Sequence, residues 1–225
     1  MNHFSLPALS FLMVVAVLIL SVLFVACQTD TPHTVLPQIH LGIAYDVTGS
    51  VEQRGLPFFT IQHLDRLNAT LKNRGGSMAF GLIDERAFVP LVRLTLQPVT
   101  GLLNERAAKN TENKSSTSEF RSKVESKIAR KRDAPATDVN GSLMRFQLFF
   151  NEPKVQSNAE KIFFVVSDGE DTGPWRLLKG VKLPSDVRIY VVGMRADIAR
   201  DLFGAQALLF EGIDAAIKAI SANQT

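Results

Sequence analysis

Three separated fragments of the chain carry small side chains with hard oxygen atoms. They are Asp46, Thr48 and Ser50 in the first, Thr137 and Asp138 in the second, and Ser167 and Asp168 in the third. Carboxylate and hydroxyl oxygens, with no His or Cys among them, suit Mg²⁺, Ca²⁺ or Mn²⁺ and suit zinc poorly. The three fragments therefore predict a divalent-metal site if the fold brings them together.

The segments around these fragments alternate between apolar runs and helical patterns. Strands are predicted at 39–45, 78–83, 91–96, 161–166, 187–192 and 207–210, and helices at 56–72, 139–150, 198–203 and 212–222. This alternation is typical of an α/β fold with a doubly wound, mostly parallel sheet. Such sheets bind ligands at the carboxyl ends of their strands. Two of the three fragments directly follow predicted strands.

Residues 99–136 are the least regular part of the chain. Residues 104–118 are polar and rich in Ser, Asn and Lys, whereas 119–132 read as a strongly basic helix. We interpret the basic stretch 121–132 as a solvated helix face. Contact with anionic lipid or with polyanions is the alternative, which would suit a tethered protein.

Length and composition limit the class of protein. The 225 residues are 46% hydrophobic and 21% charged, with a net charge of +3. The chain has room for one α/β domain and an N-terminal appendage, and its weak charge argues against a dedicated nucleic-acid binder. We predict a leader or anchor at 1–27, a linker at 28–37 and a single domain at 38–225.

The first 27 residues are apolar and end at the only cysteine of the chain, Cys27. No charged side chain occurs between Phe4 and Ala26. A signal peptide needs an apolar run of roughly 7–15 residues and a spanning helix roughly 20, so length alone permits either. The end of the run resembles the bacterial lipobox, which implies a lipid on Cys27. An uncleaved anchor is the alternative.

Both interpretations place the body of the protein in the cell envelope, tethered to a membrane and facing the periplasm or the exterior. Gln28 follows the cysteine. In Gram-negative lipoproteins an Asp at that position is linked to retention in the inner membrane, so Gln28 favours the outer membrane.

The spacing of the first fragment suits an ion site. Residues two apart at a strand end point the same way, so Asp46, Thr48 and Ser50 can present three oxygens to one point. Gly49 permits the tight turn that this requires. With Thr137 and Asp168 from the other two fragments, the five candidate ligands include only two carboxylates, which do no more than balance the charge of a dication. The ion would therefore keep an open position for an anionic group from elsewhere.

In this order and spacing the fragments resemble the von Willebrand factor A domain and its metal-ion-dependent adhesion site. The family pattern is Asp-x-Ser-x-Ser, a distant Thr, and an Asp beside Gly. Asp46, Thr48 and Ser50 match the first part with Thr in place of one Ser, Thr137 matches the second, and Asp168 matches the third.

The resemblance implies a six-stranded, mostly parallel, Rossmann-like sheet between helices, with the ion at its top. It implies that Thr48 and Ser50 ligate through their hydroxyls and that Asp46 and Asp168 ligate directly or through water. Thr137 would approach or retreat with the state of the site. A Glu or Asp of a partner protein would complete the shell, and Mg²⁺ is the expected ion, with Ca²⁺ or Mn²⁺ possible.

The implied function is adhesion or assembly, in which the metal forms a bridge and no bond is broken. Two alternatives remain. One is a metal-dependent hydrolase of a phosphate or another anionic substrate, which would need an activated water and usually a nearby base. The other is a scaffold that keeps the fold and leaves its metal site idle.

Overall fold

The centre of the fold is a strand that is buried on both faces. The computed structural model describes residues 36–72, 74–86, 89–153, 158–173 and 181–222. In it, β1 spans Ile39–Asp46, and all eight of its residues are buried. Its apolar run belongs to a strand with helices on both faces, because such strands have no solvent side that would require alternating polar residues.

Within the described residues, six strands form one sheet. After β1 come β2 (Gly76–Ile83), β3 (Val92–Leu96), β4 (Glu160–Val166), β5 (Val187–Val192) and β6 (Ala207–Phe210). Their order is β3-β2-β1-β4-β5-β6, and every neighbouring pair is parallel except the antiparallel pair β2–β3. The chain winds outward in both directions from β1 and β4. The predicted doubly wound, mostly parallel α/β fold is confirmed.

Helices cover both faces of the sheet. They are α1 (Gly49–Gln53), α2 (Ile61–Leu71), α3 (Leu103–Ile128), α4 (Val139–Phe150), α5 (Ala196–Phe203) and α6 (Ile213–Ala222). One hydrophobic core lies between the sheet and α2, α3 and α6, and a second lies between the sheet and α4 and α5. Residues Pro37–Thr225 form one compact unit.

Helix α4 packs closely on the central strands. The Phe146 and Phe163 ring centroids are 4.8 Å apart. The Phe146 ring lies against Gly42, where a Cβ would lie 2.8 Å from Phe146 Cδ1. The absence of a side chain at Gly42 therefore sets how near the helix can approach. The helix begins after Asp138, whose carboxylate accepts a hydrogen bond from Gly141 N at 2.8 Å and caps its first turn.

The helix predicted at 56–72 begins later than expected. In the structure α2 starts at Ile61, after the N-cap Thr60, whose hydroxyl accepts from His63 N while His63 Nδ1 accepts from Thr60 N. This reciprocal cap stops the helix from extending backwards. Phe59, which continues the helical spacing in the sequence, is buried from the preceding loop instead.

The polar region 99–136 is more regular than the sequence indicated. Helix α3 runs unbroken over Leu103–Ile128, and only Phe120 and Val124 of its side chains are buried. Its first half carries no apolar stripe and is held by polar contacts instead. Asn113 Oδ1 accepts from Gln97 N and Asn113 Nδ2 donates to Gln97 O, both at 2.9 Å. A helix held by such contacts lacks the 3.6-residue repeat of apolar side chains from which a helix is predicted.

The basic stretch 121–132 does not form one solvated helix face, because α3 ends at Ile128. Arg132 lies beyond it with only 5% of its surface exposed. Its guanidinium donates to Leu56 O at 2.6 Å, to Pro57 O at 2.7 Å and to Tyr45 Oη at 3.1 Å. Arg132 therefore fixes the loop between α1 and α2 and is unavailable to a lipid surface.

No helix within the described ranges is long and apolar enough to cross a membrane. The predicted leader or anchor at 1–27, including Cys27, and most of the linker at 28–37 lie outside the described residues. Their assignments stay predictions.

We expect Arg132→Met to lower the free energy of unfolding by about 2–3 kcal/mol, because two buried acceptors and one partly buried acceptor lose their donor. Urea denaturation of residues 28–225 measures this. The matched control is Arg121→Met, since Arg121 is exposed and pairs with Asp65 at the surface. Its midpoint should stay close to that of the wild type. Equal effects of the two substitutions would contradict the structural role of Arg132.

Candidate metal centre

The loop after β1 collects three of the predicted ligands. Asp46 Oδ1 accepts hydrogen bonds from Thr48 N at 3.0 Å and from Thr48 Oγ1 at 2.7 Å. Thr48 Oγ1 lies 3.2 Å from Ser50 Oγ. Asp46 and Thr48 are buried and Ser50 is half-buried, so one carboxylate and two hydroxyls form a short row that leads from the interior to the surface.

The loop after β4 meets this row from the neighbouring strand. Parallel pairing of β1 with β4 sets Tyr45 opposite Val166, so the next residues along the two strands, Asp46 and Ser167, come together. Ser167 Oγ donates to Asp46 Oδ2 at 2.6 Å. Asp168 follows, and its side chain is fully buried beside the row. The site thus lies at the carboxyl ends of β1 and β4, between which the sheet reverses its winding.

The segment that contains Thr137 is joined to the loops after β1 and β4 by backbone hydrogen bonds. Ala134 N donates to Val47 O at 3.2 Å and Ala134 O accepts from Gly49 N at 3.3 Å. Further along, Thr137 O accepts from Thr172 N at 2.9 Å and from Gly173 N at 2.8 Å. These bonds hold Thr137 between the loop after β1 and the loop after β4. The structure therefore brings all five predicted ligands to one end of the sheet.

Burial dominates the electrostatics of Asp46. The pKa of this carboxyl is raised from 3.8 to about 6, mainly by burial and to a smaller degree by the nearby Asp168 carboxylate, against the lowering effect of hydrogen bonds from Ser167 and Thr48. The negative charge of Asp168 therefore disfavours a second negative charge on Asp46. A cation placed between them would remove that penalty.

The donor set fits a hard divalent ion. Asp168 Oδ2 is buried and accepts no hydrogen bond, which leaves a carboxylate oxygen available as a ligand. Over the described residues, no three His, Cys, Asp or Glu side chains group around a single point. An ion held here would take hydroxyl oxygens as part of its shell, and such oxygen-rich sites suit Mg²⁺, Mn²⁺ or Ca²⁺.

Two neighbouring acidic residues have other roles. Asp171 Oδ2 accepts from Asn140 N at 3.1 Å and from Asn140 Nδ2 at 2.8 Å, so it secures the start of α4. Glu170 pairs with Arg54 at the surface. Sequence reasoning did not assign roles to Arg54 and Ser167. The position of Ser167 beside a predicted ligand was its only signal, and Arg54 had none.

Comparisons with known proteins give no assignment by sequence. No protein-family model matches the chain, and no curated protein matches it significantly. Many solved structures are similar in fold, and three of them are described by their sequence identity, TM-score and coverage.

Manganese-loaded TRAP protein of Plasmodium vivax is 16% identical with a TM-score of 0.48, covering 81% of this chain and 72% of that one. A von Willebrand factor type A protein from Catenulispora acidiphila is 11% identical (TM-score 0.41; 84% and 42% covered).

Proximal thread matrix protein 1 from the mussel byssus, with a zinc-occupied metal-ion-dependent adhesion site, is 10% identical (TM-score 0.42; 84% and 48% covered). The chain thus spans less than half the length of the last two proteins. Similarities at these identities and TM-scores do not assign the chain to a family.

The raised pKa of Asp46 predicts a pH-dependent stability in EDTA. Because the folded-state pKa, about 6, exceeds the ordinary value of 3.8, the stabilising proton is fully bound at low pH and lost as the pH rises through 6. Asp46→Asn cannot titrate. We expect the free energy of unfolding of the wild type, relative to Asp46→Asn, to fall by about 2 kcal/mol between pH 4 and pH 7.5.

Urea denaturation in EDTA at a series of pH values measures this difference. A difference that stays constant with pH, or one that grows as the pH rises, would show that the Asp46 carboxyl is not destabilised by burial.

Proposed function

We propose that residues 38–225 form a von Willebrand factor A-type domain that binds a protein ligand through a divalent cation. The observation that carries the proposal is the union of two buried carboxylates, Asp46 and Asp168, with the hydroxyls of Thr48 and Ser50 at the carboxyl ends of β1 and β4. A carboxylate oxygen without a hydrogen bond lies within this set.

Different side chains would supply the hydroxyl and carboxylate oxygens that hold the ion. Thr48 and Ser50 would offer hydroxyl oxygens from one loop, and Asp46 and Asp168 would offer charge from two strands. Thr137 would complete the set from the third segment. The bound ion supplies a positive charge that two carboxylates can balance only if both are ionised.

The remaining coordination position determines the class of partner. Ser50 is half-buried whereas Asp46 and Asp168 are buried, so the site opens toward solvent on the Ser50 side. A carboxylate of a partner protein, from Glu or Asp, is the ligand that a hard cation would accept there. The role is adhesion or assembly, and no chemical step is part of it.

The proposal includes a tether. The apolar N-terminal run and Cys27 support a lipoprotein of the cell envelope, with the domain exposed to the periplasm or the exterior. A partner held by this domain would thereby be kept near a membrane.

The first test is the thermal midpoint of residues 28–225 in EDTA and with Mg²⁺, Ca²⁺ or Mn²⁺. An ion at a hundred times its dissociation constant stabilises the folded state by about 2.7 kcal/mol, which corresponds to a rise of about 5–10 °C for a domain of this size. Asp46→Ala and Asp168→Asn should abolish the rise while keeping the fold.

Asp197→Asn serves as the control, because Asp197 is an exposed carboxylate that pairs with Arg195 and lies outside the ligand set. It should show the same rise as the wild type. A midpoint that no ion changes would favour the idle scaffold, and a rise that survives in Asp46→Ala would place the ion elsewhere.

The tether is tested by the mass of the full-length protein extracted from membranes of a Gram-negative host. We expect a mature chain that begins at a lipid-modified Cys27. Cys27→Ser should lose the added mass and retain the first 26 residues. A wild-type protein that keeps residues 1–26 without lipid would instead establish the uncleaved anchor.

A further inference from the structure

We propose that Arg54 is an internal counter-ion of Asp168 that a divalent cation must displace, so that Arg54 sets the affinity of the site and couples it to an acidic partner. This inference rests on the proposed metal-binding function.

Arg54 is positioned by the same segment that carries Thr48 and Ser50. It follows α1 directly, and its backbone N–H donates to Ser50 O at 3.0 Å. One helical turn therefore connects a ligand hydroxyl with this guanidinium. Its Nη1 lies 3.6 Å from Asp168 Oδ2.

Asp168 has no other counter-ion among the described residues. Its Oδ1 accepts from Glu170 N at 3.0 Å, while Oδ2 is buried and lacks a hydrogen bond. The contact with Arg54 is too long for a hydrogen bond but close enough for a strong charge interaction. The guanidinium thus offsets part of the charge on the oxygen that a metal ion would use.

Arg54 is also placed so that it can leave. Its side chain is 41% exposed, and its Nη2 pairs with Glu170, which is exposed to a similar degree. A cation at Asp168 would repel the guanidinium, which can move away from the buried acid and keep Glu170. The displaced Arg54 would then stand beside the open coordination position.

This arrangement would offer an acidic partner two favourable contacts, one with the ion and one with Arg54. The partner's carboxylate would ligate the ion and would also find a guanidinium that has lost one of its two acids. Ion and partner should therefore bind with positive coupling, since each offsets part of the cost of separating Arg54 from Asp168.

The experiment is calorimetric titration of residues 28–225 with Mn²⁺ alone. We expect Arg54→Gln to bind Mn²⁺ about five- to tenfold more tightly than the wild type, because a competing unit charge near the site is removed and solvent partly screens it. Arg54→Lys keeps the charge and should stay closer to the wild type.

The matched control is Arg195→Gln. Arg195 is another exposed arginine near Glu170, but its guanidinium pairs with Asp197, with Nε 3.0 Å from Oδ1. Its removal should change the Mn²⁺ dissociation constant by less than about twofold, because exposed charges without direct contact are screened.

A second readout separates competition from a purely structural role. Without metal, Arg54→Gln should have a lower thermal midpoint in EDTA than the wild type, since Asp168 loses its counter-ion. Saturating Mn²⁺ should then raise the midpoint by more than it does in the wild type. A structural residue would lower both midpoints alike.

The outcomes distinguish this inference from the proposed function. If Mn²⁺ binds neither the wild type nor Arg54→Gln, the metal-binding function itself fails. If the wild type binds Mn²⁺ and Arg54→Gln binds it equally or more weakly, only the role of Arg54 is overturned. Tighter binding by Arg54→Gln that is absent in Arg195→Gln supports both.

Discussion

The candidate site depends on the hydrogen bonds that the buried Asp46 carboxylate accepts. This carboxylate accepts hydrogen bonds from its own loop, through Thr48, and from the neighbouring strand, through Ser167. A buried carboxylate without such donors would be too costly to ionise. These bonds exist only because β1 and β4 are parallel and in register up to the ends where the two loops begin. A slip of one residue would turn Asp46 to the opposite face of the sheet.

That register is maintained by packing far from the oxygen atoms. Phe146 of α4 packs against Phe163 of β4, and the lack of a side chain at Gly42 lets α4 lie close to the central strands. On the other face, Arg132 holds the loop between α1 and α2 to Tyr45, one residue before Asp46. The core and a buried arginine therefore determine how precisely the ligand loops are presented.

The charges at this end of the sheet form a partly balanced set. Burial raises the pKa of Asp46, the nearby Asp168 carboxylate adds to that shift, and Arg54 offsets part of the negative charge from the solvent side. Fuller relief would come from an ion of larger charge placed between the carboxylates. A dication would supply more positive charge than one guanidinium, which is the electrostatic basis of the proposed ion site.

The sequence by itself determined the strands, their mostly parallel arrangement and the five candidate ligands, because buried apolar runs and oxygen-bearing strand ends are local patterns. It did not reveal the first half of α3, which is held by Gln97 and not by an apolar stripe. Nor did it reveal that Arg132 is buried or that Arg54 faces Asp168. Only the tertiary structure decided these contacts, because each joins a side chain to atoms more than ten residues away that no local period encodes.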